Sequence, residues 1–246
     1  MRKVIFHYHL FKNAGTSLDA AFKENFKGDE WVTAEFPTHP AKNREMVKQW
    51  IIDNPQAKCF SSHTALLPPP KIEGLEVLPV IFLRHPIDRI VSAYNFEKHQ
   101  ISNSFGPTLA RNTNLKGYIE TRIALVGDNQ CNNFYLNFFS KMFFNEGDTD
   151  LAKSLMAIEK LPFIGVVEDY TNSLRKLQIW LQANGFMDIK LKVLAKNLSR
   201  GIDYCLQERI LNISLSLGPS MWRKTKRANR EDLILYKNCL VKNNVT

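Results

Sequence analysis

Three groups of residues carry side chains whose types and spacing could do chemistry. The first is His7-Tyr8-His9-Leu10-Phe11-Lys12-Asn13-Ala14-Gly15-Thr16-Ser17-Leu18, a lysine and two hydroxyls around a small-residue turn. A strand-prone apolar run from Val4 leads into it, and Leu18, Ala21, Phe22 and Phe26 follow at helical spacing. Strand, tight loop and helix in that order turn backbone N–H groups outward at the positive end of a helix dipole, which makes a socket for a multiply charged anion. Lys12 adds a full charge at the rim, and Thr16 and Ser17 can cap the helix and donate to the same anion. The nucleotide loop G-x-x-x-x-G-K-S/T is absent, because Lys12 precedes Gly15 instead of following a glycine.

The second group is Arg84-His85-Pro86-Ile87-Asp88-Arg89-Ile90-Val91-Ser92-Ala93-Tyr94. The apolar run Val77 to Leu83 before it reads as a central parallel strand, and Pro86 suits a first helical turn, where its missing N–H would be unpaired anyway. Ile87, Ile90, Val91 and Tyr94 form the inward stripe and leave Ser92 on the flank. A guanidinium fork from Arg84 and the Ser92 hydroxyl can grip one phosphate. The third is His63, just past a short strand at Lys58 to Ser62, where open α/β sheets bind their ligands and where a near-neutral imidazole suits proton removal.

The elements that must hold these groups follow from periodicity. A helix is expected from about Thr16 to Lys27, a strand over Trp31 to Phe36, a helix from Lys42 to Asp53, and a late strand and helix from Phe163 to about Leu181. Ser102 to Lys116, rich in Ser, Asn, Thr and Gly, reads as a mobile loop that could serve as a lid. Phe134, Tyr135, Phe138, Phe139, Phe143 and Phe144 read as core. Arg223, Lys224, Lys226, Arg227 and Arg230 make a basic cluster before a last helix that Asn229 would cap, with Asp232 three residues on.

Alternation of strand and helix predicts an α/β fold, and the length of 246 residues predicts one domain over 1–246. A net charge of +9 fits a partner with several negative charges, whether nucleotide, acidic glycan, nucleic acid or membrane surface. Cys59, Cys131, Cys205 and Cys239 make no C-x-x-C pair, so neither a zinc knuckle nor a disulfide scaffold is indicated. Without a span-length apolar run or a signal-like cleavage site, a soluble cytoplasmic protein is expected.

The first group resembles the 5′-phosphosulfate loop of sulfotransferases, P-K-[TA]-[AG]-[GT]-T-[ST]-L, and the second resembles their 3′-phosphate element, R-[DN]-P-x-x-R-x-x-S-x-Y, with His85 the one departure. The chain thus looks like the carbohydrate branch that includes the 2-O-sulfating enzymes of polysaccharides. Gly127-Asp128-Asn129-Gln130 and Phe163 to Tyr170 are similar to that family's D-N-x-Q and F-V-G-x-x-E segments.

The resemblance implies a P-loop-like three-layer sandwich with a central parallel sheet and helices on both faces. It also implies the donor 3′-phosphoadenosine 5′-phosphosulfate (PAPS), and a carbohydrate or glycolipid acceptor. Lys12, Asn13, Ala14, Gly15, Thr16, Ser17 and Leu18 would then hold the phosphosulfate and Arg84 with Ser92 the 3′-phosphate. Arg200, in a late basic loop, would close over the donor. Lys12 would neutralise the leaving phosphate and His63 would be the base. The product would be adenosine 3′,5′-bisphosphate, with no metal needed and no nucleic acid bound. Two rival readings are a magnesium-dependent kinase with a variant loop and a non-catalytic polyanion binder on the same fold.

Overall fold

The computed structural model describes residues 1–143, 149–193 and 205–244. Among them five parallel strands form one sheet in the order β2-β3-β1-β4-β5, with β1 Arg2–Tyr8, β2 Trp31–Thr33, β3 Cys59–Ser62, β4 Leu75–Leu83 and β5 Ile164–Val166. Side-chain alternation sorts the strand residues onto two faces. Val4, Phe6, Tyr8, Ile81 and Leu83 pack against α2 (Pro40–Asp53), α6 (Phe134–Phe139), α7 (Asp150–Lys160) and α10 (Arg230–Lys242). Ile5, Leu78, Val80 and Phe82 pack against α1 (Gly15–Asn25) and α8 (Tyr170–Ala183). The result is the three-layer α/β sandwich expected.

A third apolar cluster lies outside these layers. Ile87, Ile90 and Tyr94 of α3 (Pro86–His99) meet α4 (Phe105–Asn112), α5 (Leu115–Ala124) and Ile213, Leu217 and Met221 of α9 (Leu206–Ala228), a helix broken at Gly218. The strands on either side of β1 set the geometry of function. β3 and β4 both pair with it in parallel, so the chain leaves all three strands at the same edge of the sheet, where open α/β folds place their ligands.

Three expectations are corrected. Ser102 to Lys116 is not a loop: it contains α4 and the start of α5. Its apolar content is low because α4 docks through small residues, with Gly106, Pro107 and Ala110 buried over the Glu97–Arg122 ion pair. β2 ends at Thr33 instead of Phe36, since the Phe36 amide leaves the sheet to donate to Thr64 Oγ1 at 2.5 Å. Asn229 stands at the N-terminus of α10 but its side chain does not cap that helix, because its Nδ2 donates to the carbonyls of Cys131 and Thr225.

Elsewhere the described part of the aromatic run packs in the core, with Tyr135, Phe138 and Phe139 buried and Phe134 and Phe143 half-buried, while Phe144 lies outside the described residues; the basic cluster is exposed. All four cysteines are free. No described helix is long and apolar enough to cross a membrane.

A Cβ at Gly106 would overlap the Glu97 carboxylate and the Arg122 guanidinium. Gly106→Ala should therefore lower the free energy of unfolding by about 1–3 kcal/mol. Urea denaturation checks this, and parental stability would mean that α4 is not packed on that ion pair.

Candidate functional site

The loop between β1 and α1 is built from strained backbone. Lys12 and Ala14, neither of them glycine, both take left-handed conformations with φ of 64° and 60°. Ala14 stands at the helix N-cap with no side chain capping it, so the expectation that Thr16 or Ser17 caps α1 is corrected. Such conformations persist where surroundings over-determine them, and here Asn13 does so. It is buried, its amide donates to the Leu10 carbonyl and its Nδ2 to the Phe11 carbonyl. Its Oδ1 accepts from the Arg84 amide at 2.8 Å and from the Tyr135 hydroxyl at 2.6 Å. One side chain thus ties the β1–α1 loop to the β4–α3 junction.

The expected backbone donors are fewer than Asn13 to Leu18. The Asn13 amide is used within the loop, and those of Ser17 and Leu18 donate to the Ala14 carbonyl. The amides of Ala14, Gly15 and Thr16 are the ones left to face an anion, with the exposed Thr16 hydroxyl beside them. Ser17 and Leu18 are buried. Gly15 is required by its neighbour, because a Cβ there would overlap the ring of His9.

Lys12 lies across α3, its Nζ 4.3 Å from the centroid of Phe96. Burial and then the charge of Arg84 hold its pKa below the usual lysine range, which places the two cations close enough to repel. Arg84 donates through Nε to Asp88 at 2.7 Å, and Asp88 also receives Arg209 of α9 at 3.2 Å. With Nε so anchored, the terminal nitrogens of Arg84 are the pair that could grip a phosphate. Asp88, Ser92 and Phe96 stand four residues apart on α3, so half-buried Ser92 shares the stripe that meets Lys12.

The second arginine of that motif has a different job. Arg89 is fully buried, donates to the side chain and carbonyl of Gln130, and stacks 4.1 Å from the Phe134 centroid. Asp128 pairs with Arg122 and Gln130 accepts from Arg89, so the Gly127 to Gln130 segment braces α3 and α5. His85, where an acid or amide was expected, caps nothing; its amide donates to Glu168 at 2.7 Å, and Tyr236 donates to the other oxygen at 2.8 Å.

His63 stands at the end of β3 with its ring 3.8 Å from that of His9, centroid to centroid. The Cβ overlap at Gly15 shows that His9 in turn lies on the anion loop, so His63 is one ring's thickness from it. Burial first, then His9, keep the His63 pKa below the usual value, against the raising influence of Glu35 and Asp19.

Asp19 on α1 accepts from His7 at 2.7 Å, His9 at 2.8 Å and Ser61 at 2.7 Å. Burial would raise its pKa, but the two imidazoles hold it well below the carboxylate range. The separations are hydrogen-bond lengths, shorter than the roughly 3.3 Å between two ligands of one tetrahedral zinc, so this is a proton-sharing cluster. Sequence reasoning passed over it, although His7 and His9 alternate with Tyr8 on the face that α1 covers. Arg200 lies outside the described residues.

Residues 1–191 match the sulfotransferase family model. The chain belongs to the sulfotransferase family. An uncharacterized protein of Archaeoglobus fulgidus is similar to it, 37% identical over 243 residues that span 96% of this chain and 95% of that protein. Membership implies a PAPS-dependent sulfotransferase, and the residues present fit that donor: three amides at a helix start and two mutually repelling cations await an anion.

Removing the tie between the two junctions would leave the Arg84 amide and the Tyr135 hydroxyl short of a buried acceptor. Asn13→Ala in this sulfotransferase should cost about 1–3 kcal/mol of stability. A urea midpoint equal to the parent's would show that the junctions are held independently.

Proposed function

We propose that this sulfotransferase moves a sulfuryl group from PAPS to a hydroxyl of a carbohydrate or glycoconjugate, with His63 as the base. The observation that carries the reading is the pairing of Lys12 and Arg84 across two neighbouring strand-to-helix junctions. The Arg84 amide is bonded to the Asn13 that closes the Lys12 loop, and the Arg84 charge adds to burial in lowering the Lys12 pKa, which supports a shared anion site. The amides of Ala14, Gly15 and Thr16 would hold the 5′-phosphosulfate, and the Arg84 fork with Ser92 the 3′-phosphate. The resemblance of both motifs to the carbohydrate branch supports the acceptor class.

In the step itself the acceptor oxygen bonds to sulfur as the bond from sulfur to the phosphate oxygen breaks. His63 takes the hydroxyl proton, and adenosine 3′,5′-bisphosphate leaves with the electron pair. Lys12 meets the charge that grows on the leaving oxygen, and alignment supplies much of the remainder. The transferred group has less negative charge than a phosphoryl, so the residues named suffice without a bridging cation. A kinase would need magnesium on a glycine-lysine loop, which is absent here.

Thermal unfolding separates the readings, because a ligand that binds only the folded chain stabilises it. Adenosine 3′,5′-bisphosphate at 100 times its Kd should add about 2.7 kcal/mol, and ATP with magnesium should add little. The reverse order would favour the kinase. In Arg84→Ala, affinity for the bisphosphate should fall at least about tenfold, the loss of one charged hydrogen bond, while that for adenosine 5′-phosphate stays near the parent's. Equal losses would remove Arg84 from the 3′-phosphate.

A further inference from the structure

Behind His63 stands a ladder of groups that the reaction as written does not use. The His9 ring is sandwiched between His7, 5.1 Å away and nearly parallel, and His63 at 3.8 Å. Asp19 accepts from the Nδ1 atoms of both His7 and His9, and Ser61 steadies the same carboxylate. His9 is buried and cannot swing, because its ring fills the space that a side chain at Gly15 would take. His63 is exposed on the side away from His9, and its amide is 3.4 Å from Glu35 Oε1. The charged and titratable groups facing His63 are therefore His9 after β1, Asp19 on α1 and Glu35 after β2.

Two aromatic rings in contact have little freedom to turn, so fixing one orients the other. We propose that Asp19 and His9 are positioning residues for His63: the carboxylate locks His9, His9 holds the His63 ring against its own face, and Asp19 with Glu35 supplies the counter-charge for the proton His63 accepts. The inference rests on the sulfuryl-transfer reading and adds to it a source of orientation and charge for the base. Chemistry explains why the arrangement suits the task. An imidazole pressed against a second imidazole is a weak base unless nearby carboxylates offset burial and mutual repulsion. His9 is bonded to Asp19 through Nδ1, so the carboxylate lies beside the stacked imidazoles and offsets positive charge carried by either ring.

The test follows the imidazole C–H resonances of the whole chain by NMR as pH is varied, with the His63 signal assigned through His63→Gln. In Asp19→Asn the His63 midpoint should shift to lower pH, since a stabilising negative charge has gone. Glu35→Gln, at an exposed position that leaves the core intact, should shift it the same way, which keeps the test decisive if Asp19→Asn fails to fold. A purely structural Asp19 would lower the melting temperature and leave the midpoint in place. A midpoint unmoved, or moved upward, in the variants that fold overturns the proposal. Adenosine 3′,5′-bisphosphate binding is measured on the same samples. Binding with an unmoved midpoint sinks this inference alone, and a parent chain that does not bind sinks the reading beneath it.

Discussion

The structure depends on one buried amide. Asn13 Oδ1 takes hydrogen bonds from the backbone of one junction and the phenol of a distant helix, while its own backbone closes the other junction. Two cations that repel need something neutral and rigid between them, or the loops would relax apart. A hydrogen-bonded carboxamide is such a tie, since it is directional yet adds no charge beyond the Asp88 carboxylate that Arg84 shares with Arg209.

The brace extends to the far end of the chain. Tyr135 reaches Asn13 because α6 is held from below: Asp232 of α10 accepts from the amides of Tyr135 and Leu136 at 2.9 and 2.8 Å, an N-cap supplied by another helix. Burial pushes the Asp232 pKa up to about 6 against the pull of those two donors. Tyr236, one turn on, donates to Glu168 and so fixes the acceptor of the His85 amide. The last helix thus sets the geometry of motifs that lie more than a hundred residues earlier.

Much of this was legible in the sequence, and the rest was not for physical reasons. Local signals worked where strand meets helix: Pro86 stands at the first turn of α3, and the apolar runs became the central strands. Composition failed over Ser102 to Lys116, because a helix that docks through Gly106 and Ala110 needs few apolar residues. Spacing alone could not divide the loop amides into those spent internally and those left open, nor tell a ligand-facing arginine from Arg89 in the same motif. The Asp19 cluster joins two elements of different period, and neither period displays it.

A crystal structure with adenosine 3′,5′-bisphosphate tests the central claim most directly. The 5′-phosphate should lie within hydrogen-bond distance of the Ala14, Gly15 and Thr16 amides and the 3′-phosphate on the terminal nitrogens of Arg84, with Asn13 still bonded to the Arg84 amide. A nucleotide lying with its 3′-phosphate in solvent, or bound away from the Lys12 loop, would contradict it.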